Sequence, residues 1–134
     1  MRLPRLDGRE LLAIYAGGVL GALARVGLAQ LAPPGAASWP WATFAANMAG
    51  ALLLGYFVTR LQERLPPSSY RRPLLGTGLC GALTTFATVQ LELFEMLDAG
   101  RLGLAAAYAA ATLAGGFACV HFATAAVRRT RMVR

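Results

Sequence analysis

Residues 81–92, GALTTFATVQLE, set three threonines, a glutamine and a glutamate inside an otherwise apolar stretch. Such groups are costly in hydrocarbon and, where they occur, face a bundle interior or a water-filled path. Gly81, Thr84 and Thr85 also lower helix propensity at the centre of the stretch, which favours local unwinding. An unwound segment exposes carbonyls that suit a cation and amides that suit an anion. The alternative is a continuous helix whose threonine hydroxyls bond back one turn. Other polar residues stand in similar company. Asn47, in FAANMAG, carries an amide that can donate to an anion or bond a neighbouring helix. Tyr108 and Thr112 are four apart and so share a helix face. Arg25 either snorkels to an interface or attracts anions at a vestibule. His121 has no second ligand near it in sequence, which suits a hydrogen-bonded structural role.

Bond-making chemistry finds no support. No Ser/His/Asp, Cys/His or metal-ligand set occurs in a workable arrangement, so an enzyme is not expected. The two cysteines, Cys80 and Cys119, lie inside apolar blocks and read as buried packing residues. A net charge of +7 suggests nucleic acid at first sight. The arginines, however, sit at the edges of apolar blocks and not on one amphipathic face, so no nucleic-acid partner is expected.

The elements that position these residues are membrane spans. The chain has 134 residues, of which 57% are hydrophobic and 14% charged, and its mean hydropathy is +0.52. Soluble domains carry closer to a quarter charged residues. A span needs roughly 20 apolar residues, and four candidates meet that length, at about 11–31, 41–59, 74–97 and 102–127. The connections APPGAASWP, PPSSYRRP and DAGR are short and rich in turn formers. A single four-helix transmembrane unit over 1–134 is expected, with the lipid bilayer as its surroundings. The start MRLPRLDGRE, followed by an apolar run and Ala22-Leu23-Ala24, resembles a cleaved leader. Asp7 and Glu10 are unusual in a basic leader, and the apolar run continues past Ala24, so the segment is read as the first span. Gly17 with Gly21, and Ala46 with Gly50, place small residues four apart, a spacing that lets helices approach closely in lipid.

Arginine placement orients the chain. Arg2, Arg5 and Arg9 precede the first span, Arg60, Arg64, Arg71 and Arg72 lie between the second and third, and Arg128, Arg129, Arg131 and Arg134 follow the fourth. With four spans these eleven share one side, and only Arg101 lies on the other. Positive charge stays in the cytoplasm, so both termini are expected inside, with one preferred orientation.

With these residues in place, a family resemblance is visible. GALTTFATV resembles the G-x-x-T-T-F-S-T-F signature of the Fluc/CrcB fluoride channels. GGVLGALAR resembles that family's glycine-rich first helix ending in arginine. FAANMAGALLLGY resembles the V-N-x-x-G-x-F-x-x-G second helix, and YAAAT the Tyr-x-x-x-Ser of the fourth. The resemblance implies an all-α integral membrane protein with its third helix broken near the centre, assembled as an antiparallel dimer. It would export fluoride passively across the bacterial cytoplasmic membrane. By the same resemblance, Gly81 and Thr84 offer carbonyls to a structural sodium ion at the dimer interface. Asn47 donates to fluoride, Phe86 turns a ring edge toward it, Thr88, Tyr108 and Thr112 continue the path, and Arg25 sits at a vestibule.

Two departures bear on assembly. The signature reads TTFATV here, with Ala87 in place of serine and Val89 in place of the second phenylalanine. Family homodimers insert in both orientations and carry little charge bias, whereas this chain is strongly biased. Both features point to one half of a heterodimer with an oppositely oriented homologue, although a homodimer stays open. Two other functions fit four spans. A small multidrug-resistance-type transporter needs a glutamate within its first helix, where this chain has none between Leu11 and Leu31. A non-conducting partner subunit would use the polar residues as interhelical glue.

Overall fold

The computed structural model describes residues 7–33, 35, 38–64 and 70–129. Arg2, Arg5, Arg131 and Arg134 lie outside the described residues, as does the side chain of Arg64. Helix α1 runs Gly8–Leu31 and α2 runs Trp41–Arg64. The third span begins as a π-helical segment, Pro73–Cys80, and continues through α3, Gly81–Leu83, and α4, Phe86–Asp98. Helix α5 closes the chain at Leu102–Arg129. Four helical stretches are long and apolar enough to cross a membrane, at Gly8–Leu31, Trp41–Leu61, Pro73–Asp98 and Leu102–Arg129. The protein is therefore all-helical over the described residues and spans a membrane more than once.

Local sequence explains the ends of these helices. Asp7 caps α1 by accepting from the Arg9 amide at 3.0 Å, which satisfies one of the donors a helix start leaves open. Helix α4 stops at Gly100, whose φ of +70° reverses the chain. The Arg101 amide then bonds the Met96 carbonyl and the Gly100 amide bonds that of Leu97, the paired bonds of a Schellman ending.

The helices pack as two main pairs, α1 on the π-helical segment and α2 on α5. Glycine makes the first pair possible. A methyl group at Gly17 would run into the Leu74 carbonyl, and one at Gly21 into that of Leu79. The backbones are in direct contact there, which gives close van der Waals packing where lipid supplies no hydrophobic drive. The second pair is tied across its far end by Thr59 Oγ1 donating to Thr124 Oγ1 at 3.3 Å. Large apolar side chains point outward along α1 and α5, among them Leu12, Leu23, Leu113, Phe117 and Phe122. That inverted surface is what hydrocarbon solvates well.

Candidate functional site

At Thr84 and Thr85 the backbone is extended, with φ/ψ of −79°/151° and −146°/123°, between the last residue of α3 and the first of α4. Two extended residues cannot continue a helical ladder, so donors and acceptors on both sides need other partners. Asn47 supplies two of them. Its Oδ1 accepts from the Thr85 amide at 2.8 Å, and its Nδ2 donates to the Thr85 carbonyl at 3.2 Å. This clamp takes the amide that a continuous helix would give to the Gly81 carbonyl. Arg25 fills the next gap, its Nε donating to the Ala82 carbonyl at 3.1 Å. The Thr84 amide and Oγ1 both reach the Cys80 carbonyl, at 3.1 and 3.0 Å.

Thr85 also caps α4. Its Oγ1 accepts from the Thr88 amide at 3.2 Å and lies 2.9 Å from Thr88 Oγ1. The first amides of α4, at Phe86 and Ala87, are left without acceptors in the preceding turn. They point with the positive end of the helix dipole, so the start of α4 favours negative charge.

A groove of about 330 Å³ opens beside this segment. Its walls include Asn47, Thr84, Thr85, Phe86, Val89 and Thr112. Phe86 is 75% exposed and stands at the groove's rim. Thr112 Oγ1 is buried and has no partner among the described residues. Val89 presents an aliphatic wall where an aromatic edge would carry weak positive potential. A second groove runs past Gly50, Gly81, Cys80 and Thr84. Gly50 leaves room for the Thr84 methyl, which a side chain at that position would strike.

Tyr108 lies elsewhere, fully buried at 0% exposure. Its hydroxyl donates to Glu92 Oε2 at 2.7 Å, and Thr43 Oγ1 donates to the other oxygen, Oε1. Glu92 is itself 8% exposed. Trp39 packs edge-on to Tyr108, with ring centroids 5.4 Å apart, and covers this cluster from the α2 end.

Of the sequence candidates, Asn47, Thr84, Phe86 and Thr112 therefore meet at one groove, and Thr88 reaches it through Thr85. Gly81 faces the neighbouring groove together with Thr84. Tyr108 is one turn from Thr112 but belongs to the Glu92 cluster. Arg25 is tied to the Ala82 carbonyl. His121 differs from its expected hydrogen-bonded role. It is exposed, stacked on Phe117 with ring centroids 6.3 Å apart and edge-on to Phe122 at 6.1 Å.

Sequence reasoning passed over Thr43 and Trp39, and noted Glu92 as out of place without giving it a role. An acid inside a span was the available signal, since buried charge must find donors. Its donors come from α2 and α5, 49 and 16 residues away, and no local spacing announces them.

The oxygens fit the sodium ion that the resemblance implies. The diverted Thr85 amide frees the Gly81 carbonyl, and the Thr88 amide, turned to Thr85 Oγ1, frees that of Thr84. Neutral carbonyl oxygens suit a hard cation, and the described residues hold no group of three His, Cys, Asp or Glu that would favour another metal.

Comparison with known proteins adds an independent line. A family model described as "CrcB-like protein, Camphor Resistance (CrcB)" matches residues 12–124. "Fluoride-specific ion channel FluC 1" of Mycobacterium bovis is 59% identical over 132 residues, covering 98% of this chain and 100% of that protein. "Fluoride-specific ion channel FluC 2" of Nocardia farcinica is 38% identical over 127 residues, 95% and 91% of the two chains. "Fluoride-specific ion channel FluC" of Chlorobaculum tepidum is 36% identical over 116 residues, 87% and 92% of the two chains.

Proposed function

The chain belongs to the CrcB family, and on that premise we propose that it is a fluoride-specific channel subunit lowering cytoplasmic fluoride by passive export. The observation that carries this reading is the Asn47 clamp on Thr85, which leaves donors at a groove inside a membrane span. Fluoride is small and strongly hydrated, so a pore has to replace its water with fixed donors. Asn47 has a second Nδ2 hydrogen beyond the one given to Thr85, Phe86 has a ring edge, and the Thr112 side chain lines the same wall with its hydroxyl turned inward. All three are neutral. Neutral donors hold an anion firmly enough to strip water and weakly enough to let it leave. Arg25, committed to the Ala82 carbonyl, supports the segment's shape and lends positive potential from one side.

Sodium, held by the carbonyls of Gly81 and Thr84 and by those of a second subunit, would add a fixed positive charge and join two such segments. Thr88 and Tyr108 stand one step back from the groove and hold Thr85 and Glu92 in place. The arginine pattern supports insertion in the cytoplasmic membrane with both termini inside.

One-way insertion also favours a second element of the reading. An antiparallel dimer of this chain then needs an oppositely oriented homologue, and Val89 would leave one of the two paths altered. Fluoride efflux from liposomes, measured for this chain alone and with such a homologue, tests both parts. Efflux restored only by the homologue is expected. Full activity from this chain alone would overturn the heterodimer, and no efflux in either case would overturn the channel.

A further inference from the structure

Gln90 is an exposed residue of α4 set inside the third span, Pro73–Asp98. Roughly 12 Å of helix separates it from the end of α4 at Asp98. Its side-chain amide makes no hydrogen bond among the described residues. Phe86, one turn back, is 75% exposed, and Phe94, one turn on, is 65% exposed. The amide therefore stands in an apolar stripe that no described helix covers. That stripe adjoins the first groove, with Phe86 at the rim and Val89 and Leu93 forming the wall on α4. A primary amide brings two donor hydrogens and an acceptor oxygen, and leaving them unmet in hydrocarbon is costly. Between helices in lipid, such groups find their partners across the interface.

We infer that Gln90 is a specificity residue of the subunit interface. Its amide bonds a polar side chain of the oppositely oriented homologue and is left unmatched when this chain faces a copy of itself. The inference rests on the paired-subunit reading given above, in which two chains meet antiparallel about the carbonyls of Gly81 and Thr84. A twofold axis at that level brings what lies on one side of the break in one chain against the other side in its partner. Gln90 stands about 6 Å beyond Phe86 along α4. On the other side of the break, α2 runs from Gly50, packed on the Thr84 methyl, to Leu54, again about 6 Å away. That level is the second groove, whose walls there include Ala51, Leu54, Gly76, Phe117 and Val120. None of these five has a polar side chain. A copy of this chain thus offers Gln90 an apolar wall, whereas a homologue with a hydroxyl or amide side chain in the matching wall offers a partner. An unmatched amide in the wrong pair and a bonded one in the right pair both act in favour of the mixed dimer.

The test measures pairing of the full chain in lipid vesicles, by energy transfer between labelled subunits, with itself and with a homologue of opposite arginine bias. Q90L should weaken the mixed pair about fivefold and strengthen the self-pair by a similar factor. A ratio of the two affinities within twofold of wild type overturns the inference, as does an equal weakening of both pairs. A second measurement places a nitroxide at Q90C in a chain whose Cys80 and Cys119 are replaced by alanine. Its accessibility to dissolved oxygen should fall severalfold when the homologue is added. Unchanged accessibility while energy transfer reports pairing puts residue 90 against lipid and overturns the inference, with the heterodimer left standing. An unmodified chain that pairs with no such homologue removes the heterodimer and the inference with it. Fluoride efflux from the same vesicles then shows separately whether the channel reading survives.

Discussion

Two polar clusters lie inside the helical bundle, built from similar residues with opposite outcomes. At Thr43, Glu92 and Tyr108, two hydroxyls meet the two oxygens of one carboxylate, and the cluster is buried. At Asn47 and Thr85 the partners also match, but the extended backbone leaves the first amides of α4 without acceptors in the preceding turn, beside a groove that Asn47, Thr85 and Phe86 line. A saturated cluster fixes helices; a cluster with donors to spare can also exchange a ligand. The difference lies in the backbone. Glu92 sits on an unbroken turn of α4, whereas Thr85 sits where the ladder is interrupted, and interruption is what creates surplus donors in lipid.

The sharpest test of that contrast is Asn47→Ala. It strips partners from both the amide and the carbonyl of Thr85, at about 1–3 kcal/mol for each buried group. Fluoride efflux should fall about 100-fold, read with a fluoride electrode on liposomes. Efflux within twofold of wild type would break the assignment of the clamp to conduction.

Glu92→Leu strands the Thr43 and Tyr108 hydroxyls in an apolar interior. The thermal unfolding midpoint in detergent should drop, by the equivalent of about 2 kcal/mol. An unchanged midpoint would mean the cluster is not the structural tie its saturation implies.

Tyr108→Phe is gentler, because Glu92 keeps Thr43. About 1.5 kcal/mol of stability should be lost, with efflux reduced less than by Asn47→Ala. The reverse order of effects on efflux would move the path into the Glu92 cluster.

The smallest change expected is Thr85→Val, which removes the α4 cap and leaves the backbone clamp with Asn47. The cost should be about 1 kcal/mol in the unfolding midpoint, with efflux close to wild type. If this variant conducted as poorly as Asn47→Ala, the side chain of Thr85 and not its backbone would carry the function.

Much of this molecule was legible in the chain itself. Spans of roughly 20 apolar residues, and a run of threonines where a helix should be smooth, are local properties that hydrocarbon makes readable, because backbone polar groups there have so few options. Asn47 and Thr112 were likewise visible as polar groups at helical positions, whereas Phe86 entered only through the family resemblance. What stayed hidden depended on pairing across the bundle. His121 read as a hydrogen-bonding residue and turned out to lie between two phenylalanine rings on the outer face. Arg25 read as an anchor or a vestibule charge, and it binds the Ala82 carbonyl, 57 residues away.

The sequence by itself determined that the chain is helical, that it crosses a membrane, and where its polar groups interrupt the spans. Those follow from hydropathy and propensity over short windows, which no tertiary contact needs to supply. Only the tertiary structure decided which interruption is closed and which is open. Glu92 meets Thr43 and Tyr108 from two other helices and is saturated, while Asn47 spends its amide on Thr85 and leaves the start of α4 with donors to give. A hydrogen bond satisfies one partner by excluding others, and that choice is made across space and not along the chain.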